Sequence, residues 1–400
     1  MTGATLNSNW NFPTRIWFGA GRIRELADAC RELDIQRPLL VTDPGLSALP
    51  MIANAENALR ASGLAVAVFD KVQGNPTSAN LADGLAAFRA GNHDGVIAFG
   101  GGSALDVGKT VAFMAAQTRP VWDFEDIGDY WRRATTEGIA PIIAVPTTSG
   151  TGSEVGRATV ITDDETHQKK IIFHPLMLPR IAIADPELTI GLPPGLTAGT
   201  GMDALAHCLE AYCVPGYHPM ADAIAVEGIR LVRDWLPKAV HDGRNIEARG
   251  QMMTAAAMGA TAFQKGLGAI HAISHPIGSV FGCHHGLTNA VAMPYVIAFN
   301  RNAIGAKMQH LATYLDLGTG SPELGAEQSV DAVMDWILAL RREIGIPHTI
   351  AELGVKRDRF SDIAAMALVD PTAGSNPVEL TLPGILSLLE AMHEGILPPK

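Results

Sequence analysis

Through roughly its first half the chain repeats one pattern, a short and nearly continuous apolar run followed by a stretch with helical spacing. The runs occupy 38–43, 65–70, 95–99, 142–145 and 181–185, and helical patterns such as 78–90 and 103–116 lie between most of them. Runs this apolar read as strands buried on both faces, and strands alternating with helices build a parallel, doubly wound sheet. Such a sheet binds its ligand at the carboxyl ends of its strands. After Thr189 the pattern stops. Long helical stretches follow at 198–212, 220–235, 248–267 and 329–344, with no convincing strand. The expected organisation is an α/β domain over 1–190 and an all-helical domain over 191–400, which suits a chain too long for one comfortable core. The boundary falls just before Gly191-Leu-Pro-Pro-Gly195.

The formal charge of −11 argues against nucleic acid or an anionic membrane as the main partner. No apolar run reaches bilayer-spanning length. The first ten residues lack the basic start and apolar stretch of a secretory leader, so a cytoplasmic protein is expected. Cysteines 30, 208, 213 and 283 form no CxxC pair and no framework spacing, which fits reduced thiols.

Two loops in the first half follow predicted strands. Phe99-Gly-Gly-Gly-Ser103-Ala-Leu-Asp106-Val-Gly-Lys109 also opens a helix. Its glycines let the backbone approach a pyrophosphate, and the helix start supplies free N–H groups and a favourable dipole. Gly101, Gly102, Ser103 and Asp106 are the candidate cofactor residues there, with Ser103 expected as the helix N-cap. The spacing matches neither the GxGxxG fingerprint nor a Walker A loop, and a tight turn with a serine cap would read the same way. The second loop, Val145-Pro-Thr147-Thr148-Ser-Gly150-Thr-Gly152-Ser153-Glu154, offers hydroxyls for another polar part of the same ligand. Asp43 ends the first strand. A carboxylate there bonds ribose hydroxyls and repels a 2′-phosphate, favouring NAD over NADP, although Asp-Pro-Gly is equally good turn chemistry.

The second half carries a concentration of metal-binding side chains. Four of the thirteen histidines fall in His271-Ala-Ile-Ser-His275…Cys283-His284-His285-Gly286, and Asp203-Ala-Leu-Ala-His207 lies upstream. Asp203 with His207, and His271 with His275, are each four apart, so each pair shares one helix face. Two such helices, with His285 arriving from a following loop, would surround one divalent ion. Carboxylate and imidazole donors suit iron(II), zinc, manganese or cobalt. Imidazoles among small apolar neighbours need partners, and a metal supplies them. His284 reads as an extra outside the ligand set, and Pro276 as a possible kink after His275.

Together these motifs resemble the iron-containing (group III, iron-activated) alcohol dehydrogenase family. The resemblance begins at Phe18-Gly19-Ala-Gly21 and takes in Asn75-Pro76-Thr77, both loops, Asp185-Pro186-Glu187-Leu188-Thr189 and the histidine motifs. It implies the dehydroquinate synthase-like fold group, an active site in a cleft between the domains, and a homodimer. By position, it implies Asp203, His207, His271 and His285 as ligands to iron(II), with zinc permitted. His275 would stand beside the metal near the reacting oxygen. Asp43 would read the adenosine ribose with Asn75 nearby, Gly102 and Ser103 the pyrophosphate, and Thr147 and Thr148 the phosphate and nicotinamide side. Lys169 matches a cofactor-contacting lysine, with Lys170 as the neighbouring choice.

The implied activity is NAD-dependent interconversion of a small alcohol with its aldehyde or ketone. The metal would act as Lewis acid and His275 as proton relay. A non-redox lyase or cyclase of the dehydroquinate synthase type is the alternative, but its first metal ligand is typically glutamate where this chain has Asp203. Two departures stand out. Cys283-His284-His285-Gly286 replaces the usual Thr-Pro-His-Gly, and Gly374–Val378 lacks the cysteine and arginine that relatives often carry there, which leaves the substrate open.

Overall fold

The computed structural model describes residues 14–166, 168–318 and 324–397. The first ten residues considered above lie outside the described residues, as does the end of the C-terminal tail. The chain divides into two compact units, one running to Gly191 and the other starting at Leu192.

The first unit holds strands β1 (Arg15–Phe18), β2 (Pro38–Val41), β3 (Ala67–Phe69), β4 (Gly95–Gly100), β5 (Ile142–Pro146), β6 (Ala158–Thr162), β7 (Lys169–Phe173) and β8 (Ile181–Ala184). Its helices are α1 (Leu26–Glu32), α2 (Pro44–Ser47), α3 (Pro50–Ala61), α4 (Ser78–Ala90) and α5 (Gly102–Met114). Six strands form one sheet in the order β1-β8-β5-β4-β2-β3, every pair parallel. The five anticipated strands are all in it. Alternate residues explain why their sequences are apolar throughout. Leu39, Val41, Val96, Ala98, Ile142 and Ala144 pack against Leu81 and Phe88 of α4 and Leu105, Val111 and Phe113 of α5. Leu40, Ile97, Phe99, Ile143, Ile181 and Ile183 face the other way, onto Leu26 and Cys30 of α1 and Ile52 and Leu59 of α3. Each buried Val, Leu, Ile or Phe among them contributes about 1.5–3 kcal/mol against leaving it in water.

Three strands escaped the sequence reading. β1 is an edge strand with Ile16 and Phe18 exposed, so its side chains carry no inside–outside signal. β6 and β7 form a separate antiparallel pair whose residues are mostly half-buried and partly polar.

The second unit is helical: α6 (Pro194–Cys213), α7 (Pro219–His241), α8 (Ile246–Ala262), α9 (Ala269–Phe281), α10 (His285–Tyr314), α11 (Ala326–Glu343), α12 (Phe360–Leu368) and α13 (Leu382–Glu394). Among the described residues it contains no strand. α6 is buried almost throughout, against α7, α8 and α10. That explains its weak amphipathicity: it is apolar on nearly every side. Pro276 lies inside α9, and the helix continues past it to Phe281. No helix among the described residues is long and apolar enough to cross a membrane.

Candidate metal centre and cofactor loops

The two glycine- and hydroxyl-bearing loops leave adjacent strands. β4 pairs β5 up to Gly100 opposite Pro146, and the Thr147 N–H donates to the Gly100 carbonyl at 3.0 Å. Both loops therefore sit at the carboxyl edge of the sheet, side by side. α5 begins at once after the strand, with Gly101 as its N-cap residue. Ser103, expected in that place, is the second residue of the helix, two past the cap; the chain turns too abruptly after Gly100 for the serine to precede the first turn. Space is tight at both glycines, most of all at Gly102. A Cβ on Gly102 would stand 2.6 Å from Thr151 Cγ2, and one on Gly101 would stand 3.3 Å from Thr148 Cγ2.

Asp106 is engaged in internal bonds. Its carboxylate accepts from Ser153 Oγ at 2.6 Å and from the Val160 N–H at 2.9 Å, so both oxygens serve internal bonds. Lys109, fully buried, donates to the carbonyls of Ser153 and Ala158 and to Ser153 Oγ. Burial pushes its amine down to about 8, against the pull of Asp106 and Glu154. These bonds brace the second loop and β6 against α5.

Asp43 closes β2 and caps α2, accepting the Leu46 N–H on Oδ1 at 3.0 Å. Asn75 holds a positive φ of 55° on the segment before Thr77, a conformation that asparagine tolerates better than most residues. The two lysines of β7 have different partners. Lys170 pairs with Asp163 at 2.8 Å, whereas the charge of Lys169 acts on Asp106 beneath the first loop.

In the helical unit α6, α9 and α10 bring the metal candidates together. Asp203 Oδ1 lies 3.8 Å from His207 Nε2, 3.7 Å from His271 Nε2 and 3.5 Å from His285 Nε2. Asp203, His207 and His271 are buried and can offer ligand atoms all within 4.8 Å of one another. His285, expected from a loop, is the first residue of α10, and its ring lies 5.2 Å from that of His271. His275 also joins the group, stacked on His285 with centroids 5.3 Å apart. His284 does not join it. Its Nδ1 accepts the Leu287 N–H and caps α10, and burial lowers its pKa. The Cys283 thiol is turned to the Leu353 carbonyl at 3.4 Å.

These residues fit a divalent ion. Donors each about 2.1 Å from a shared tetrahedral centre stand about 3.4 Å apart, close to the observed spacings. The separations are too long for ordinary hydrogen bonds, so these contacts alone do not bind the carboxylate to the imidazoles. Asn289 Nδ2 donates to Asp203 Oδ1 at 2.8 Å, while its own Oδ1 is buried without a partner. Burial would raise the Asp203 carboxyl, but His207, His285 and His271 outweigh it and hold it well below the usual range. Burial would lower His271, yet Glu210 and Asp203 raise it to about 9. A centre this polarised, with Asp203, His207 and His271 buried, is suited to holding a cation.

Three neighbours were missed from sequence. Glu210 Oε2 lies 2.5 Å from His271 Nδ1, and Asp370 Oδ2 lies 2.9 Å from His275 Nδ1. Asn289 contacts Asp203, His271 and His285. Glu210 and Asn289 had a signal: they follow His207 and His285 by three and four residues, on the same helix faces. Asp370 had none, being 95 residues from its partner.

The chain is similar to known proteins over nearly its whole length. The model of the iron-containing alcohol dehydrogenase family matches residues 13–186, and that of its C-terminal region matches 197–393. The chain is 41% identical over 385 residues to 4-hydroxybutyrate dehydrogenase of Cupriavidus necator, covering 94% of this chain and 97% of that one. Among solved structures, 1,3-propanediol oxidoreductase superposes with a TM-score of 0.90 at 36% identity, covering 96% and 99% of the two chains. Sulfoacetaldehyde reductase from Bifidobacterium kashiwanohense, solved in complex with NAD+, gives 0.84 at 30% identity, covering 96% and 98%.

Proposed function

The chain belongs to the iron-containing alcohol dehydrogenase family, and on that premise we propose which of its residues carry the reaction and with which cofactor. The reaction class is the family's, interconversion of an alcohol with its carbonyl compound, as the names of its relatives state. None of those names describes a lyase or cyclase, so the dehydroquinate synthase alternative is not favoured.

Asp203, His207, His271 and His285 would hold iron(II), with zinc as the competing ion. A divalent ion there supplies Lewis acidity toward the alcohol oxygen, lowering the pKa of its proton. NAD is the proposed hydride acceptor, supported by the relative solved with NAD+ and by the Asp43 carboxylate at the end of β2. Gly101, Gly102 and Ser103 would receive the pyrophosphate on the N–H groups at the start of α5. Asn75, Thr147, Thr148 and Lys169 would complete the cofactor contacts. His275 would pass the alcohol's proton outward through Nε2, because Asp370 occupies its Nδ1. The substrate would be a small primary alcohol or its aldehyde, like those named for the relatives, in a cytoplasmic homodimer.

The observation that carries this reading is the approach of three imidazole Nε2 atoms to one carboxylate oxygen, at 3.5–3.8 Å. Anaerobic purification with elemental analysis, then add-back of iron(II) or zinc and an assay of short alcohols with NAD and NADP, tests it. NADH formation that depends on added metal is expected, and His271→Ala should lose both metal and turnover. Full metal occupancy in that variant would overturn the ligand set.

A further inference from the structure

We infer that Glu210 is the positioning residue of the metal centre: its carboxylate fixes the orientation and tautomer of His271, so that Nε2 is the atom offered to the metal. The inference rests on the ligand set proposed above and adds to it a residue that never touches the ion.

Glu210 stands on α6, three residues after His207 and seven after Asp203, with 5% of its surface exposed. Its two oxygens bridge to α9. Oε1 accepts the Ile270 N–H at 2.7 Å, one of the free donors in the first turn of that helix. Oε2 meets His271 Nδ1 at 2.5 Å. The backbone bond holds the carboxylate plane, so the second oxygen is presented to the ring in one direction only. Gly268 keeps the space open, since a Cβ there would stand 3.1 Å from Oε1.

An ionised carboxylate can only accept, so the hydrogen of this contact is on Nδ1. A ligating imidazole must give up its second proton and keeps a single ring hydrogen, here on Nδ1, which leaves the lone pair on Nε2. That atom is the one turned to Asp203 Oδ1, at 3.7 Å. The helix that contributes two of the ligands thus also selects which nitrogen of a third can ligate. Outer carboxylates of this kind raise the basicity of the ligating imidazole, and losing one costs about 10–100-fold in metal affinity.

Glutamine cannot substitute. It offers one acceptor and one donor where the site needs two acceptors. Either the Ile270 N–H loses its partner, or an amide N–H faces Nδ1 and drives the hydrogen onto Nε2, where it blocks the metal. A capping role alone makes a different prediction, and Asn376 supplies the control. Its Oδ1 accepts the Ala269 N–H at 3.1 Å, at the same helix start, without touching His271.

The test measures iron(II) and zinc affinity by chelator competition under anaerobic conditions for the full-length protein and the variants Glu210→Gln, Asn376→Ala and His271→Ala. Glu210→Gln is expected to bind about 10–100-fold more weakly, Asn376→Ala to lose thermal stability but no affinity, and His271→Ala to lose the metal. Unchanged affinity in Glu210→Gln, with the metal lost from His271→Ala, overturns the Glu210 role and leaves the ligand set standing. Retention of metal by His271→Ala overturns the ligand set itself. Equal loss in Asn376→Ala and Glu210→Gln assigns the effect to the helix start and also overturns the role. Should Glu210→Gln fail to fold, ¹⁵N–¹H correlation on the zinc-loaded wild-type protein decides: a hydrogen on His271 Nδ1 supports the inference, and zinc at Nδ1 defeats it.

Discussion

Asp370 Oδ2 sits 2.9 Å from His275 Nδ1, and both side chains are nine-tenths covered. The other carboxylate oxygen accepts from the Thr372 N–H at 2.9 Å and from its hydroxyl at 2.6 Å, so the group cannot turn away. Burial would raise the Asp370 carboxyl, and the facing imidazole outweighs it and keeps the group ionised. With its proton on Nδ1, the ring can accept through Nε2. Asp370→Asn would present an amide N–H to Nδ1 and reverse the tautomer. Turnover in that variant should fall by about ten- to a hundredfold with the metal retained, and His275→Ala should also distort the pH–rate profile. Wild-type turnover in both would remove His275 from the proton path.

Gly286 explains why the last histidine is followed by glycine. A Cβ there would lie 2.1 Å from the Gly199 carbonyl oxygen and 2.7 Å from its carbon. The obstacle is backbone, which no rotamer change relieves. The start of α10 can therefore approach α6 only if residue 286 has no side chain, and this approach brings His285 within 3.5 Å of Asp203. Gly286→Ala should cost about 1–3 kcal/mol of stability, read from denaturant unfolding, and should also lower metal content. A folded variant with full metal occupancy would show that the helices can separate without moving His285.

The adjacent His284 and His285 should separate into two phenotypes. His284 caps α10 through Nδ1, so its replacement by alanine should cost about 1 kcal/mol, as caps usually do, while metal binding persists. His285→Ala should lose the ion with little change in apoprotein stability. Metal analysis and thermal melts of the two variants check both halves at once; the reverse assignment follows if His284→Ala is the one emptied of metal.

Much of this was legible because the controlling signals are local. The buried strands of the sheet announce themselves through apolar runs, and Asp203/His207 and His271/His275 through their four-residue spacing on helices. Edge strand β1 was not legible, since Ile16 and Phe18 are exposed and leave no alternation to read. The cap was expected two residues too late, at Ser103 instead of Gly101, because nothing in the sequence marks how abruptly Gly100 gives way to a helix. The internal bonds of Asp106 were not legible for the same reason: its position on the loop is local, but its partners Ser153 and Val160 are some fifty residues away in sequence. Asp370 is the extreme case, a residue whose role depends wholly on a contact made by folding.

The Asp163–Lys170 pair gives a prediction in pH. Lys170 Nζ meets Asp163 Oδ2 at 2.8 Å across the end of the β6–β7 hairpin, and the Glu165 N–H donates to the other oxygen at 3.0 Å. The lysine hydrogen bond pulls the Asp163 carboxyl down to about 2, against a smaller opposing effect of burial. Because the folded pKa lies below that of the unfolded chain, near 4 for an aspartate, the pair stabilises the protein fully above that value. The contribution fades as pH falls from about 4 through 2, and below that the carboxyl is protonated in both states. Asp163→Asn should thus be less stable than wild type by about 1–2 kcal/mol at neutral pH. Urea unfolding at a series of pH values should show the difference narrowing below about pH 4. A difference that stayed constant down to pH 3 would mean that the charge of Asp163 contributes nothing and only its shape matters.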